Sequence, residues 1–176
     1  MKTLPALSCV EGLLIAIGCL ALQEDPENPD YKRWSASKVG SWVKYKTELV
    51  VGENKTPVPQ EMTWTLIELD DKKAVVEEVL VSTLAPTEKQ EKPKKRTYKA
   101  KGAKKETIEK EGDEELEVAG KKLACHWTLV TPPSTGGGSV KTWVSPEVPG
   151  GIARLELVFP GLGGMQRMTA TGWEKK

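Results

Sequence analysis

From Trp42 onward the chain alternates apolar and polar residues with a period of two, and that alternation limits what it can fold into. In SWVKYKTELVV, the residues Val43, Tyr45, Thr47, Leu49 and Val51 fall on one side, with Lys44, Lys46 and Glu48 on the other. Successive side chains of a strand point to opposite faces, so such a stretch offers one face for burial. EMTWTLIELDDKKAVVEEVLV reads as two strands joined near Asp70-Asp71-Lys72, with Met62, Trp64 and Leu66 on one face. ELEVAGKKLACHWTLV predicts a hairpin turning at Ala119 to Lys122, its second strand grouping Leu123, Cys125, Trp127 and Leu129. After the loop PPSTGGGS, VKTWVSPEVPGGIARLEL supplies two more strands, and MQRMTATGW follows a further turn. About eight short strands linked by turn residues predict a mainly β, all-antiparallel domain. No strand–helix–strand repeat is visible, which argues against a parallel nucleotide-binding sheet.

Turn chemistry sets the junctions. Pro146 ends a strand because it has no N–H to give to a ladder. Pro149-Gly150 fits the centre of a type II turn, with Gly where φ must be positive. The return strand places Ala153, Leu155, Leu157 and Phe159 opposite Arg154 and Glu156. Only ENPDYKRWSASKVG reads as a helix, over residues 28–37, with Asn28 as N-cap, Pro29 at the first helical position and Gly40 beyond the end. Tyr31 and Trp34, three apart, share a face that can lie across a sheet.

The N-terminus predicts export. MKTLPALSCVEGLLIAIGCLALQ has an early Lys, an apolar run from Leu13 to Leu22 and small residues before a polar stretch. That run is about half the roughly 20 residues of a spanning helix. Residues 1–21 are therefore expected to be a signal peptide and 22–176 one β domain, periplasmic or extracellular. Cys19 and Ala21 then stand where a peptidase reads. Alternatively, AIGC resembles a bacterial lipobox, with Cys19 lipidated and the protein anchored to the membrane.

Charge and cysteine content narrow the function classes. With 26 basic and 25 acidic residues, no global field draws the chain to nucleic acid. Cys125 is the only cysteine beyond the signal, so an exported disulfide scaffold is excluded. Cys125 and the single histidine, His126, are adjacent, but consecutive strand side chains diverge, which argues against a nucleophile–base pair. One His and one Cys cannot make a tetrahedral zinc site. Calcium-loop and phosphate-loop spacings are absent as well. No metal, cofactor or catalytic residue is expected, and the chain reads as a non-enzyme.

Charge is segregated over 88–115. From Lys89 to Lys105 there are nine basic residues and one acid, and from Glu106 to Glu117 seven acids and one base. The expectation is a solvated hairpin whose halves attract across the strands, or a partly disordered insertion. Six Trp stand against one Phe. Trp42 and Trp143 share faces with lysines and are candidate surface contacts for polysaccharide or protein, the interaction-protein alternative. Met62, Trp64, Leu66 and Leu155 are candidates to line an apolar ligand cavity.

A strand with Trp-Val, then Ser-Pro, a Pro/Gly turn and a return strand with Arg before Leu-Glu is similar to hairpins of exported LolA/RseB-like domains. Gly40-Ser41-Trp42-Val43-Lys44-Tyr45 and Val118-Ala119-Gly120-Lys121 resemble segments of uncharacterised members. The resemblance implies one strongly curved antiparallel sheet, an incomplete barrel with a helix on its concave side, and a lipid or lipidated protein as partner. This chain departs from it in having one evident helix and the charged insertion.

Overall fold

A computed structural model of the chain describes residues 26–51, 54–82, 92–102, 107–132, 137–159 and 164–176. Residues 1–21, expected from the sequence to be a signal peptide and containing Cys19, lie outside them, as do residues 88–91 and 103–106 of the charged stretch. The elements run α1 (Pro29–Ser35), β1 (Trp42–Val51), β2 (Asn54–Leu69), β3 (Lys73–Ser82), β4 (Lys94–Lys99), β5 (Ile108–Val118), β6 (Lys121–Val130), β7 (Val140–Val144), β8 (Ile152–Phe159) and β9 (Gly164–Glu174). The strands form one open antiparallel sheet in the order β4-β3-β2-β1-β9-β8-β7-β6-β5. Among the described residues the chain is thus mainly β, with one short helix, as the sequence predicts.

The sheet curls. Two strands separate β6 from β9, a span of about 14 Å in a flat sheet at the usual strand spacing. Yet Lys121 Nζ lies 4.9 Å from the centre of the Trp173 ring. Tyr45 on β1 likewise reaches past β9 to donate its hydroxyl to the Ile152 carbonyl of β8, at 3.1 Å. Burial pushes that hydroxyl's pKa far up, so it remains a neutral donor.

The core gathers around Trp34, Val43, Tyr45, Trp64, Leu66, Val76, Leu123 and Cys125. Trp64 meets Tyr45 edge-on with centroids 5.0 Å apart, a favourable aromatic geometry. The β1 alternation fails in its second half. Val50 is buried, while Leu49 and Val51 are 41% and 45% exposed. The pairing with β2 shifts register between Lys46 and Thr47, and burial changes partner there.

The charge-segregated segment is not a hairpin, which corrects the expectation for 88–115. Basic β4 forms one edge of the sheet and acidic β5 the other. Each finds opposite charge on its own neighbour. Lys95 and Lys94 stand across from Glu77 and Glu78, and Arg96 bonds Glu78 at 2.6 Å. On the other edge Glu115 meets Lys122 at 3.0 Å, and Asp113 meets His126 at 2.9 Å. The two halves therefore do not need each other.

Candidate functional site

The site is built by where α1 docks. Asn28 caps the helix by accepting from the Asp30 N–H at 3.0 Å, and Pro29 supplies the first turn. Tyr31 then donates to the Asp70 carbonyl at the β2–β3 turn, at 2.8 Å. Trp34, 2% exposed, packs against the turn between β7 and β8. Pro149-Gly150 occupies the centre of that turn: the Gly151 N–H donates to the Val148 carbonyl at 2.8 Å, and Gly150 has φ +71°. These anchors stretch α1 across the sheet like a strut.

A cleft of about 670 Å³ remains between the helix and the β5–β6 hairpin. Lys32, Arg33 and Ala36 form its helical wall; Asp113, Glu114 and Glu115 of β5 border it, with Ala124, Cys125 and His126 of β6. Val144, Pro146, Val148 and Gly151 complete it from β7 and the turn. The volume falls in the range of small-molecule sites, and alanines, valines and a proline alternate there with a few charges. One wall is cationic and the other anionic.

The charges are tied down locally. Arg33 pairs with Asp30 on its own helix, while its Nε is buried without a hydrogen-bond partner among the described residues. His126 Nδ1 sits 2.9 Å from Asp113 Oδ1, and Nε2 lies 3.6 Å from Glu111. The hydrogen bond to Asp113 holds the imidazole pKa above its ordinary value. Cys125, 3% exposed, has its thiol pushed upward by burial and then by Glu114. It is a protonated structural thiol. Cys125 stands across from Glu114 and His126 from Asp113, so neighbouring positions of β6 send the two side chains to opposite faces.

The residues singled out from sequence sit elsewhere. Trp64 and Leu66 are buried on the Tyr45 face of the sheet, with Met62 and Leu155 packed half-buried against the same core. None of the four lines the cleft. Trp42 is half-buried and donates to Glu174 at 3.1 Å. Trp143, placed at the surface by the sequence, is 4% exposed. It shares its face with Lys141, as expected, but that face is roofed: Lys141 Nζ lies 4.3 Å from its ring centre and the Arg154 guanidinium 5.8 Å, while its indole N–H donates to Glu114. Charged stems cover the aromatic surface.

Sequence reasoning missed Lys32, Arg33, Ala36, Asp113, Val144 and Val148. A weak signal existed in α1, where Lys32 and Ala36 are four apart and flank the Tyr31–Trp34 face. Nothing local joins that flank to a hairpin some eighty positions later.

No protein-family model matches the chain, and no curated protein matches it. Among solved structures it is similar to a candidate lipoprotein from Parabacteroides distasonis ATCC 8503, at 12% identity and TM-score 0.49, over 78% of this chain and 96% of that one. It is also similar to MucB, at 12% identity and TM-score 0.43, over 83% of this chain and 57% of MucB.

Proposed function

We propose that this chain is a non-enzymatic, exported envelope protein that holds an apolar-bodied ligand, a lipid or lipidated segment, in the cleft between α1 and the β5–β6 hairpin. The observation that carries the reading is that cleft: about 670 Å³ bounded by Ala36, Ala124, Val144 and Val148, with charge of both signs on its two walls. Such a shape suits a long apolar body with a polar end. The state of Cys125 supports a binding role over a catalytic one, because its thiol is buried and faces away from His126. The export signal expected at 1–21 supports the location. The test is native mass spectrometry of protein isolated from the envelope of cells expressing the full-length sequence, with titration of a dansyl-labelled fatty acid. A lipid-sized adduct and saturable fluorescence are expected, and both should vanish in Ala124→Trp, which fills the cleft from an exposed position. Probe binding that is unchanged in Ala124→Trp would refute the site.

A further inference from the structure

We propose that copies of this chain join head to tail, the basic edge β4 of one copy pairing with the acidic edge β5 of the next. The inference rests on sheet topology and is independent of the cleft. Among the described residues, β4 and β5 each have a strand on one side only. A bridge between Glu27 and Lys101 caps the chain just beyond β4, and residues 95–99 have no second neighbouring strand among the described ones. An unpaired edge presents a row of backbone donors and acceptors that template another strand.

The charge on the two edges decides which strand can come. β4 reads KKRTYK, four cations and no acid. β5 reads IEKEGDEELEV, six acids and one lysine. A two-fold dimer would set β4 against β4 or β5 against β5, with like charges opposed along the strand. Such charged edges ordinarily prevent pairing, and here each prevents pairing with itself. Only the heterologous contact, β4 on β5, places opposite charges across the new ladder. Ile108, 49% exposed on the acidic edge, adds an apolar side chain for the partner to cover. A heterologous contact leaves one free edge at each end, so association continues into open chains unless the rotation closes a ring.

Sedimentation equilibrium of the protein purified from cells expressing the full-length sequence tests this at two salt concentrations. At about 10 mM salt, where the screening length is near 30 Å, the mean mass should climb with concentration past a dimer; at about 1 M it should fall to the monomer. Two variants then probe the edges. One carries Lys95→Glu with Lys99→Glu, the other Glu109→Lys with Glu117→Lys, each checked for unchanged circular dichroism. Each alone should self-associate at least about tenfold more weakly, because attractive cross-strand pairs become repulsive. Their equimolar mixture should recover association, since the unaltered acidic β5 of the first variant then meets the unaltered basic β4 of the second, and the two altered edges carry exchanged charges at the substituted positions. A parent that stays monomeric at low salt, variants that associate like the parent, or a mixture that does not recover would each overturn the proposal.

Discussion

Replacing Gly150 by Ala should cost far more than the same change at Gly120, although the two share a backbone conformation. Their φ values are +71° and +72°, so each alanine bears the left-handed penalty of about 1–2 kcal/mol. The surroundings differ. A Cβ at Gly120 meets nothing within 4 Å, whereas at Gly150 it would lie 2.5 Å from Cε2 and Cζ2 of the Trp34 indole. Trp34 is fully buried and cannot swing aside. Overpacking a filled site adds about 1–3 kcal/mol, giving roughly 2–5 kcal/mol in total. With a urea dependence of about 2–3 kcal/mol per molar, the unfolding midpoint should move by about 0.7–2.5 M for Gly150→Ala and by about 0.3–1 M for Gly120→Ala. In a Trp34→Ala background the extra cost should disappear, leaving only the backbone penalty. Equal midpoints for the two glycine variants, or an extra cost that persists without the indole, would refute the docking of α1 on this turn.

Two other outcomes follow from the site. Cys125 should not react with a thiol-specific disulfide reagent at neutral pH in the folded protein and should react fully once urea unfolds the chain, because burial both shields the thiol and raises its pKa. Rapid labelling of the native protein would contradict the packing of β6. His126 should titrate above the ordinary imidazole value of 6.5 when followed by its ring proton shifts, and Asp113→Asn should bring it back down. Since the folded pKa is the raised one, the stability that this pair contributes is complete below the unfolded value and is lost as pH rises through the folded value. The ring is about half exposed, so the effect on unfolding should be small beside the change in chemical shift.

The period-two alternation was enough to place most strands, because one-face burial leaves a mark in each strand taken alone. The hairpin read at Ala119 to Lys122 is present but tighter. Its turn is Ala119-Gly120, both at positive φ, 52° and 72°, as a two-residue turn requires, and Lys121 already belongs to β6. What could not be read were the pairings between distant segments. Opposite charges in 88–115 pointed to a hairpin, and each half does meet complementary charge. But Glu77 and Glu78 on β3 and Lys122 with His126 on β6 satisfied it locally, sending the two halves to opposite edges. Charge sign along a sequence says that a partner is wanted, not which strand brings it.

The Pro149-Gly150-Gly151 turn shows how a correct local reading can still miss the site. As sequence, it is explained by the type II turn, which needs positive φ at Gly150. The fold adds a second demand that backbone conformation alone does not reveal. A Cβ at Gly150 would strike the Trp34 indole, and one at Gly151 would lie 2.5 Å from Arg33 Cδ. The two bare backbones let α1 settle onto the turn with Trp34 inward, which turns Lys32 and Ala36 toward β5 and β6. The cleft is the space that this seating leaves open. An Asn or Asp at Gly150 tolerates the left-handed conformation but not the contact, so it should keep the turn and displace the helix. Loss of the cleft with the sheet intact is therefore the expected consequence of Gly150→Asn. It would appear as abolished probe binding with little change in far-ultraviolet circular dichroism, whereas retained binding would mean that the indole does not set the helix position.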